Sequence, residues 1–280
     1  MRIKVAKSAG FCFGVKRAIS IAYASAKNNP KVVMLGDIVH NEDVVKDVLK
    51  AGIRKVDKLA KTKDKTLLIR AHGASLKTYK LARSLGYKII DATCPMVKEI
   101  HDIAKSWEKK KFPIIVIGDK KHDEVRGITG QIRSKALIID SFENMPLKKI
   151  KKIKKAAVVV QSTQNLEKTL EIVNELKKHI KNLKFSNTIC NPTRIKQKEI
   201  KLMPLENQLM IIIGSKSSAN TRRLYELSKS LNPETYLIQS AKDLKPAWFK
   251  KIKTVGITAG ASTPDKTTRS VVEKIKSLSK

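Results

Sequence analysis

The segment YKIIDATCP, residues 87–95, decides the fold of this chain. A run of apolar, β-forming residues passes into a polar turn that carries Cys94, and a proline then opens a helical pattern. Two other segments have a similar form, LKFSNTICNP at 183–192 and RIKVAKSAGFC at 2–12. The sequence has three cysteines, and each belongs to one of these segments: Cys12, Cys94 and Cys190. We therefore expect three related units, each with one cysteine at the end of a strand.

A second set of repeated segments supports this division. In each of them an apolar strand ends at a glycine, a histidine or serine follows four residues later, and another polar residue comes two positions further on. These segments are VVMLGDIVHNE at 32–42, IIVIGDKKHDE at 114–124 and MIIIGSKSSAN at 210–220. Their glycines are 82 and 96 residues apart, and so are the three cysteines. The shared spacing indicates that the cysteines hold equivalent positions in the three units.

A third set of segments gives the fold class. LLIRAHGAS, AVVVQSTQN and VGITAGAST each run from an apolar strand into a small or polar turn that opens a helix. Strands that alternate with amphipathic helices are typical of parallel α/β units. We predict three pseudo-symmetric α/β domains that face a common centre, with an N-terminal strand completing the third. The predicted domains are residues 13–94, 95–187 and 188–280, with 1–12 added to the third.

Three converging cysteines would suit a metal centre. Structural zinc usually takes four ligands, often in C-x-x-C pairs, and this sequence has no C-x-x-C. Iron–sulfur clusters are usually held by four cysteines, so three would leave one iron open to a substrate oxygen. Two alternatives remain at this point: three structural thiols in the core, and a hydrolytic zinc enzyme with three cysteine ligands.

Polar residues that follow the strands suggest an anion site. They lie at the strand ends where open α/β sheets bind ligands, and their hydrogen-bond donors would suit a phosphate or diphosphate. These residues are His40, His72, His122, Ser218, Asn220 and Ser262. Glu124 follows His122 by two residues, and near a metal and a phosphate it could carry a proton at neutral pH. Its alternative role is that of an acid at a helix N-terminus.

The formal net charge of +34 is extreme, with 59 lysines and arginines against 25 acidic residues. Such a charge raises the question of nucleic acid, a membrane surface or an acidic partner. The lysines are spread along the chain, and the aromatic residues, 5% of the total, do not alternate with them as in a base-stacking surface. This distribution favours a solvated lysine-rich surface or an acidic protein partner. A basic nucleic-acid-binding protein remains the competing class.

The sequence predicts a cytoplasmic protein without a membrane segment. The N-terminus lacks the apolar core and the small-residue cleavage site of a secretory signal. No apolar run approaches the roughly 18 residues that span a bilayer. In a reducing compartment, three scattered cysteines are buried apolar residues, ligands or nucleophiles rather than a disulfide framework.

A series of ordered motifs makes the chain similar to one enzyme family over nearly its whole length. The motifs are GFCFGVKRAI (10–19), VHNEDVV (39–45), AHG (71–73), DATCP (91–95), HDEVRG (122–127), QST (161–163), TIC (188–190), GSKSSANTRRL (214–224) and TAGASTPD (258–265). With these motifs the chain resembles the 4-hydroxy-3-methylbut-2-enyl diphosphate reductase (LytB/IspH) family, which acts in the non-mevalonate (MEP) isoprenoid pathway.

The resemblance implies a trefoil of three domains around one [4Fe–4S] cluster, held by Cys12, Cys94 and Cys190 with one open iron. It implies that the hydroxyl of an allylic diphosphate binds this iron and leaves as water, which gives isopentenyl and dimethylallyl diphosphates. The residues implied to bind the diphosphate are His40, His72, His122, Ser218, Ala219, Asn220 and Ser262. Glu124 is implied to donate the proton, with Ser162 and Thr163 near the substrate hydroxyl and Glu124.

Two positions depart from the family pattern. Ser162 stands where threonine is common, which keeps the hydroxyl but removes a methyl group. Ala219 stands where serine or glycine is common, so it can offer only its backbone N–H. The net charge further leads us to expect an acidic ferredoxin or flavodoxin as the electron donor.

Overall fold

The computed structural model describes residues 1–29 and 31–278. Pro30 and residues 279–280, which fall within the first and third predicted domains, lie outside the described residues. The strands are β1 (Arg2–Val5), β2 (Val32–Leu35), β3 (Arg54–Val56), β4 (Thr66–Ile69), β5 (Lys88–Asp91), β6 (Ile114–Ile117), β7 (Leu137–Ile139), β8 (Lys155–Val160), β9 (Asn182–Phe185), β10 (Leu209–Ile213), β11 (Thr235–Ile238) and β12 (Thr254–Ala259). The α-helices are α1 (Phe13–Asn28), α2 (Glu42–Lys50), α3 (Leu76–Ser84), α4 (Pro95–Lys109), α5 (Asp123–Thr129), α6 (Leu147–Ile150), α7 (Leu166–His179), α8 (Asn191–Glu206), α9 (Ala219–Leu231) and α10 (Asp265–Leu278).

The described strands form three parallel sheets of four strands that share one topology. Their orders are β3-β2-β4-β5, β7-β6-β8-β9 and β11-β10-β12-β1. In the third sheet the N-terminal strand fills the edge position that β5 and β9 fill in the other two, and Arg2 pairs with Thr254. The predicted fold class is therefore confirmed, including the N-terminal strand that completes the third unit.

Three edge strands are missing from the sequence prediction: β3, β7 and β11. Each lies at the opposite edge of its sheet from the strand that leads to a cysteine. In β3, Arg54 and Lys55 are exposed, so this strand lacks the apolar run that marks the central strands. An edge strand pairs on one side only and can present charged side chains to water. Such a strand lacks the apolar run by which a strand is recognised in a sequence.

Helices cover both faces of the central strands, as the second sheet illustrates. Ile115 of β6 packs on one face in a cluster with Leu176 of α7. Ile114 packs on the other face with Ile100 of α4. Because successive side chains of a strand point to opposite faces, burial of both faces requires a continuous apolar run. This requirement explains why β6 and β8 are recognisable in the sequence.

The helices are amphipathic. In α4 the buried side is formed by Val97, Ile100, His101 and Ala104, while charged residues such as Lys105 lie outside it. Among the described residues, no helix combines the length and apolar character needed to cross a membrane.

The chain divides into two compact units. One consists of Met1–Val15, His40–Val45 and Asn191–Lys280 and contains the third sheet. The other consists of Lys16–Val39 and Lys46–Cys190 and contains the first and second sheets. The three domain boundaries given by the sequence repeats stay a prediction.

Candidate active site

Each cysteine lies directly before a helix. Cys12 precedes α1, Cys94 precedes α4 and Cys190 precedes α8. All three side chains are partly exposed, and none forms a disulfide. A cysteine sulfur outside a disulfide can act as a metal ligand.

The strands leading to the cysteines end earlier than the sequence suggested. They stop at Val5, Asp91 and Phe185, and loops of different length follow. In each of the three repeats, the backbone N–H of the cysteine then forms an equivalent hydrogen bond with a carbonyl just beyond the neighbouring strand. The N–H groups of Cys12, Cys94 and Cys190 donate to the carbonyls of Ala261, Ala71 and Ser162 at 3.1, 3.0 and 3.0 Å. Each acceptor lies two residues beyond the end of the neighbouring strand, so the local structure supports the equivalence of the three cysteines.

The helix caps correct the alignment of the first repeat by one residue. His122 caps α5 by accepting the N–H of Glu124, and Ser218 caps α9 by accepting the N–H of Thr221. In the first unit the corresponding cap is Asn41, whose Oδ1 accepts the N–H of Val44 at 3.1 Å. The loop after the first glycine is one residue longer than in the other two units, so the equivalence of His40 with His122 is wrong.

Glu124 is a buried acid, 2% exposed, in the first turn of α5. Its Oε1 accepts the N–H of Ser162 at 2.6 Å, and its Oε2 accepts the Ser162 hydroxyl at 2.8 Å. The carbonyl of Ser162 accepts the N–H of Cys190. A hydroxyl can donate to an ionised carboxylate or accept from a protonated one. The Ser162 hydroxyl can therefore remain hydrogen-bonded to Glu124 whether the carboxyl group is protonated or ionised.

His122 stands beside Glu124 with a defined tautomer. Its Nδ1 accepts the N–H of Glu124 at 3.1 Å, so this nitrogen carries no proton and the neutral ring is protonated on Nε2. The ring of His72 lies edge-on to it, with centroids 5.5 Å apart and planes at 85°. Two residues predicted to bind the diphosphate are thus neighbours, and His122 offers an Nε2–H donor.

The compact unit that contains the third sheet also holds predicted binding residues, several of them near the start of α9. Ala219 begins this helix, where backbone N–H groups lack acceptors within the helix. Asn220 is 4% exposed, and its Nδ2 has no hydrogen-bond partner among the described residues. The hydroxyl of Ser262 donates to the carbonyl of His40 at 3.0 Å. A buried amide without an acceptor at a helix N-terminus suits an anion that is not part of the protein.

Thr163 differs from its neighbour Ser162. Its hydroxyl accepts Nε2 of Gln161 at 3.0 Å, and Oε1 of Gln161 in turn accepts the N–H of Asp119 at 2.8 Å. Ser162 donates to Glu124, and Thr163 accepts from Gln161. Thr163 instead belongs to a network that holds the loop after β6.

Sequence reasoning missed two residues that hold the Cys94 loop. Asp91 accepts the N–H and the hydroxyl of Thr93 and forms an ion pair with Lys98 at 2.8 Å. Burial alone would raise the pKa of Asp91, but these hydrogen bonds outweigh it and lower that pKa. Arg17 donates to the Thr93 carbonyl at 3.1 Å. Both residues lie inside quoted motifs, which was the available signal.

Comparison with sequence families gives a match to the family described as LytB protein over residues 3–276. A 4-hydroxy-3-methylbut-2-enyl diphosphate reductase of Aquifex aeolicus is 40% identical over 279 residues, which cover 98% of this chain and 94% of the relative. The reductase of the same name from Clostridioides difficile is 39% identical over 280 residues, 99% of this chain and 100% of the relative.

Solved structures agree in fold. A structure of (E)-4-hydroxy-3-methyl-but-2-enyl diphosphate reductase, described as the terminal enzyme of the non-mevalonate pathway, is 39% identical with a TM-score of 0.71 and covers 99% of this chain and 100% of that one. The E-1-hydroxy-2-methyl-but-2-enyl-4-diphosphate reductase of Plasmodium falciparum is 29% identical with a TM-score of 0.89. That match covers 97% of this chain and 87% of the Plasmodium chain.

Proposed function

Because the chain belongs to the LytB protein family, we propose that it is the oxidoreductase that removes the hydroxyl group of (E)-4-hydroxy-3-methylbut-2-enyl diphosphate. Two electrons and two protons convert the alcohol to water and to isopentenyl or dimethylallyl diphosphate. This would be the terminal step of the non-mevalonate pathway. The names of the relatives and the series of ordered motifs support the proposal.

The observation that carries the proposal is the pair of hydrogen bonds from Ser162 to Glu124. Hydroxide is a poor leaving group, so a proton delivered to the departing oxygen lowers the barrier to breaking the C–O bond. Glu124 is buried, and each of its carboxyl oxygens accepts a hydrogen bond from Ser162. The Ser162 hydroxyl can donate to the ionised carboxylate or accept from the protonated carboxyl group, so it can stay bonded to Glu124 as the proton leaves and returns. We assign Glu124 as the proton donor and Ser162 as its hydrogen-bond partner. Through its bond with Gln161, Thr163 supports the loop after β6, which leads to Glu124.

Cys12, Cys94 and Cys190 would hold one [4Fe–4S] cluster, with one iron left without a protein ligand. The donor chemistry fits, because none of the three cysteines is in a disulfide, each is partly exposed and each lies directly before a helix. The cluster would supply electrons one at a time, which side chains cannot do.

The diphosphate would be held by donors remote from the bond that breaks. The proposed binding residues are His40, His72, His122, Ser218, Ala219, Asn220 and Ser262. Nε2–H of His122 and Nδ2–H of Asn220 are donors of the kind this role needs. Binding energy gained at the diphosphate can orient the alcohol at the reacting centre, so the loss of one donor should weaken both binding and turnover.

An acidic ferredoxin or flavodoxin would deliver the electrons. The net charge of +34 would attract such a donor, and salt would screen the attraction beyond about 10 Å at 0.1 M ionic strength. The reduction rate with this donor should therefore fall as ionic strength rises. The cytoplasm, where thiols remain reduced, would be the compartment in which the enzyme works.

The experiment that tests the proposal begins with purification under strict exclusion of oxygen. We expect a brown protein with about four iron and four sulfide per chain, as three cysteine ligands of a [4Fe–4S] cluster require. With a chemical reductant and the allylic diphosphate, the two product diphosphates should form. A colourless protein that cannot be reconstituted with iron and sulfide would overturn the proposal, as would a cluster-loaded protein that leaves the substrate unchanged.

A further inference from the structure

Lys196 is a charged residue on the buried side of α8. The side chains that share this side include Ile200 and Met203, and Lys196 is 2% exposed. Taking an ammonium group out of water costs several kcal/mol unless hydrogen bonds and opposite charges compensate it. Its place in the core therefore needs a structural reason, which the proposed diphosphate site and proton donor do not supply.

Three backbone carbonyls surround the Lys196 ammonium. Nζ donates to the carbonyls of Ser8, Gly10 and Ala259, the last two at 3.1 and 3.0 Å. A lysine ammonium has three N–H groups, so each finds one acceptor. Ser8 and Gly10 belong to the loop between β1 and Cys12, and Ala259 is the last residue of β12. Lys196 thus ties the loop that presents Cys12 to the end of the neighbouring strand.

A second residue of α8 holds the same loop. Glu199, one helical turn after Lys196, accepts the N–H of Ser8 at 3.1 Å and also its hydroxyl. Gly10 has a φ of +98°, which glycine adopts readily and other residues rarely do. The loop before Cys12 is therefore fixed from one helix by two side chains, with a glycine at the point where the backbone turns.

The charge of Lys196 acts close to Cys12. Nζ binds the carbonyl of Gly10, two residues before Cys12. Because Nζ donates to three carbonyls it must carry three protons, so the side chain is an ammonium. Because all three of its N–H groups bind carbonyls, it acts on the sulfur through its charge and through the loop rather than by donating a hydrogen bond.

We propose that Lys196 is a positioning residue for Cys12, which holds the Ser8–Gly10 loop in place and sets a buried positive charge beside the cluster. The inference rests on the proposed function, because it assigns Cys12 to the cluster. A fixed positive charge stabilises the form that has gained an electron, so it makes a cluster easier to reduce. Lys196 would thus help to set the potential at which the enzyme accepts electrons.

The test compares four proteins prepared without oxygen: wild type, Lys196→Met, Lys196→Arg and Lys198→Met. Methionine removes the charge at similar length, and arginine keeps it. Lys198, on the exposed side of α8, is the matched control for the loss of one positive charge from the same helix. The measurements are iron content, the reduction potential of the cluster, and hydrogen exchange of the backbone amides from Gly10 to Cys12 in iron-free protein.

We expect Lys196→Met to have a more negative reduction potential than wild type and at least tenfold faster exchange at Gly10 to Cys12. Lys196→Arg should keep a potential near that of wild type, and Lys198→Met should match wild type in both measurements. A Lys196→Met protein with wild-type potential overturns the charge role. Wild-type exchange rates overturn the positioning role.

Two further outcomes separate this inference from the proposed function. If Lys196→Met cannot hold iron, hydrogen exchange in the iron-free proteins still decides whether the loop has been released. If wild type itself takes up no cluster, the proposed function fails and the charge role with it, whereas the exchange comparison still tests the hold on the loop.

Discussion

Ser162 donates two hydrogen bonds to Glu124, from its N–H to Oε1 at 2.6 Å and from its hydroxyl to Oε2 at 2.8 Å. Its carbonyl accepts the N–H of Cys190, so one serine connects the proposed proton donor with a proposed cluster ligand. Two of these three bonds use the backbone of Ser162 and would survive most substitutions. Only the bond from the hydroxyl depends on the side chain at position 162, so a substitution there can change it.

Glu124→Gln should keep the fold and the cluster but lose most of the turnover. An amide cannot deliver a proton to the departing oxygen, and general acid catalysis typically contributes about 10²–10⁴-fold to a rate. The measurements are steady-state turnover, iron content and substrate affinity. Glu171→Gln, an exposed change on α7, is the control and should retain the wild-type rate. A wild-type rate in Glu124→Gln would remove Glu124 from the mechanism.

Ser162→Ala should reduce turnover about tenfold, because it removes one hydrogen bond to a charged group but keeps the backbone bonds to Glu124 and Cys190. Ser162→Thr restores a hydroxyl and should stay within a few-fold of wild type. Turnover and the pH dependence of kcat together check the prediction, because losing a partner of the acid should also shift the pH profile. Equal rates in the alanine and threonine variants would contradict it.

The repeat of strand, turn and cysteine could be predicted because its residue types have strong preferences for these local structures. Central strands such as β6 and β8 are buried on both faces and must be continuously apolar, and glycine marks the turns that follow β2, β6 and β10. The edge strands β3, β7 and β11 escaped detection. β3 carries exposed Arg54 and Lys55, whereas β7 is apolar but has only three residues and β11 only four.

Within the site, residue types and their positions after strands could be predicted, but their partners could not. A one-residue difference in loop length makes Asn41, rather than His40, the cap of its helix. The hold of Lys196 on the Cys12 loop joins residues more than 180 positions apart, which no local pattern reveals. The buried side of α8 also carries Thr193 and Gln197, while Ile195 and Leu202 are exposed, so the sequence of this helix did not mark Lys196 as buried.

Cys94→Ser should lower the iron content and bleach the visible spectrum, since a serine hydroxyl is a poor substitute for a thiolate ligand. Iron and sulfide analysis of protein purified without oxygen checks this directly. Met96→Ser, two residues further on in α4 and 39% exposed, is the matched change of a nearby sulfur-containing side chain and should keep its iron. Unchanged iron in Cys94→Ser would refute its assignment as a ligand.

Asn220→Ala should weaken substrate binding without destabilising the protein. The Nδ2 group of Asn220 has no acceptor among the described residues, so its removal breaks no hydrogen bond there. We expect kcat/KM to fall about tenfold, the value of one hydrogen bond to a charged group, and the free energy of unfolding to change by less than about 1 kcal/mol. A large loss of stability with normal kcat/KM would show that Asn220 serves the fold rather than the diphosphate.

His101 should make the stability of the protein depend on pH below neutrality. It lies in α4, 5% exposed, next to the turn at Gly73. Burial, assisted by the charge of Lys105, lowers the pKa of His101 to about 4. An unfolded histidine titrates near 6.5, so between about pH 6.5 and 4 the unfolded state binds a proton that the folded state does not. Stability should therefore be full above pH 6.5 and fall as the pH drops towards 4.

The expected loss is about 3 kcal/mol across this window, since each unit of pKa difference corresponds to about 1.4 kcal/mol. Urea unfolding of iron-free protein at several pH values between 4.5 and 7.5 measures it. His101→Gln removes the titrating ring, so the difference in stability between wild type and variant should shrink steadily as the pH falls. A difference that stays constant from pH 7.5 to 4.5 would mean that the folded state protonates His101 as readily as the unfolded chain does.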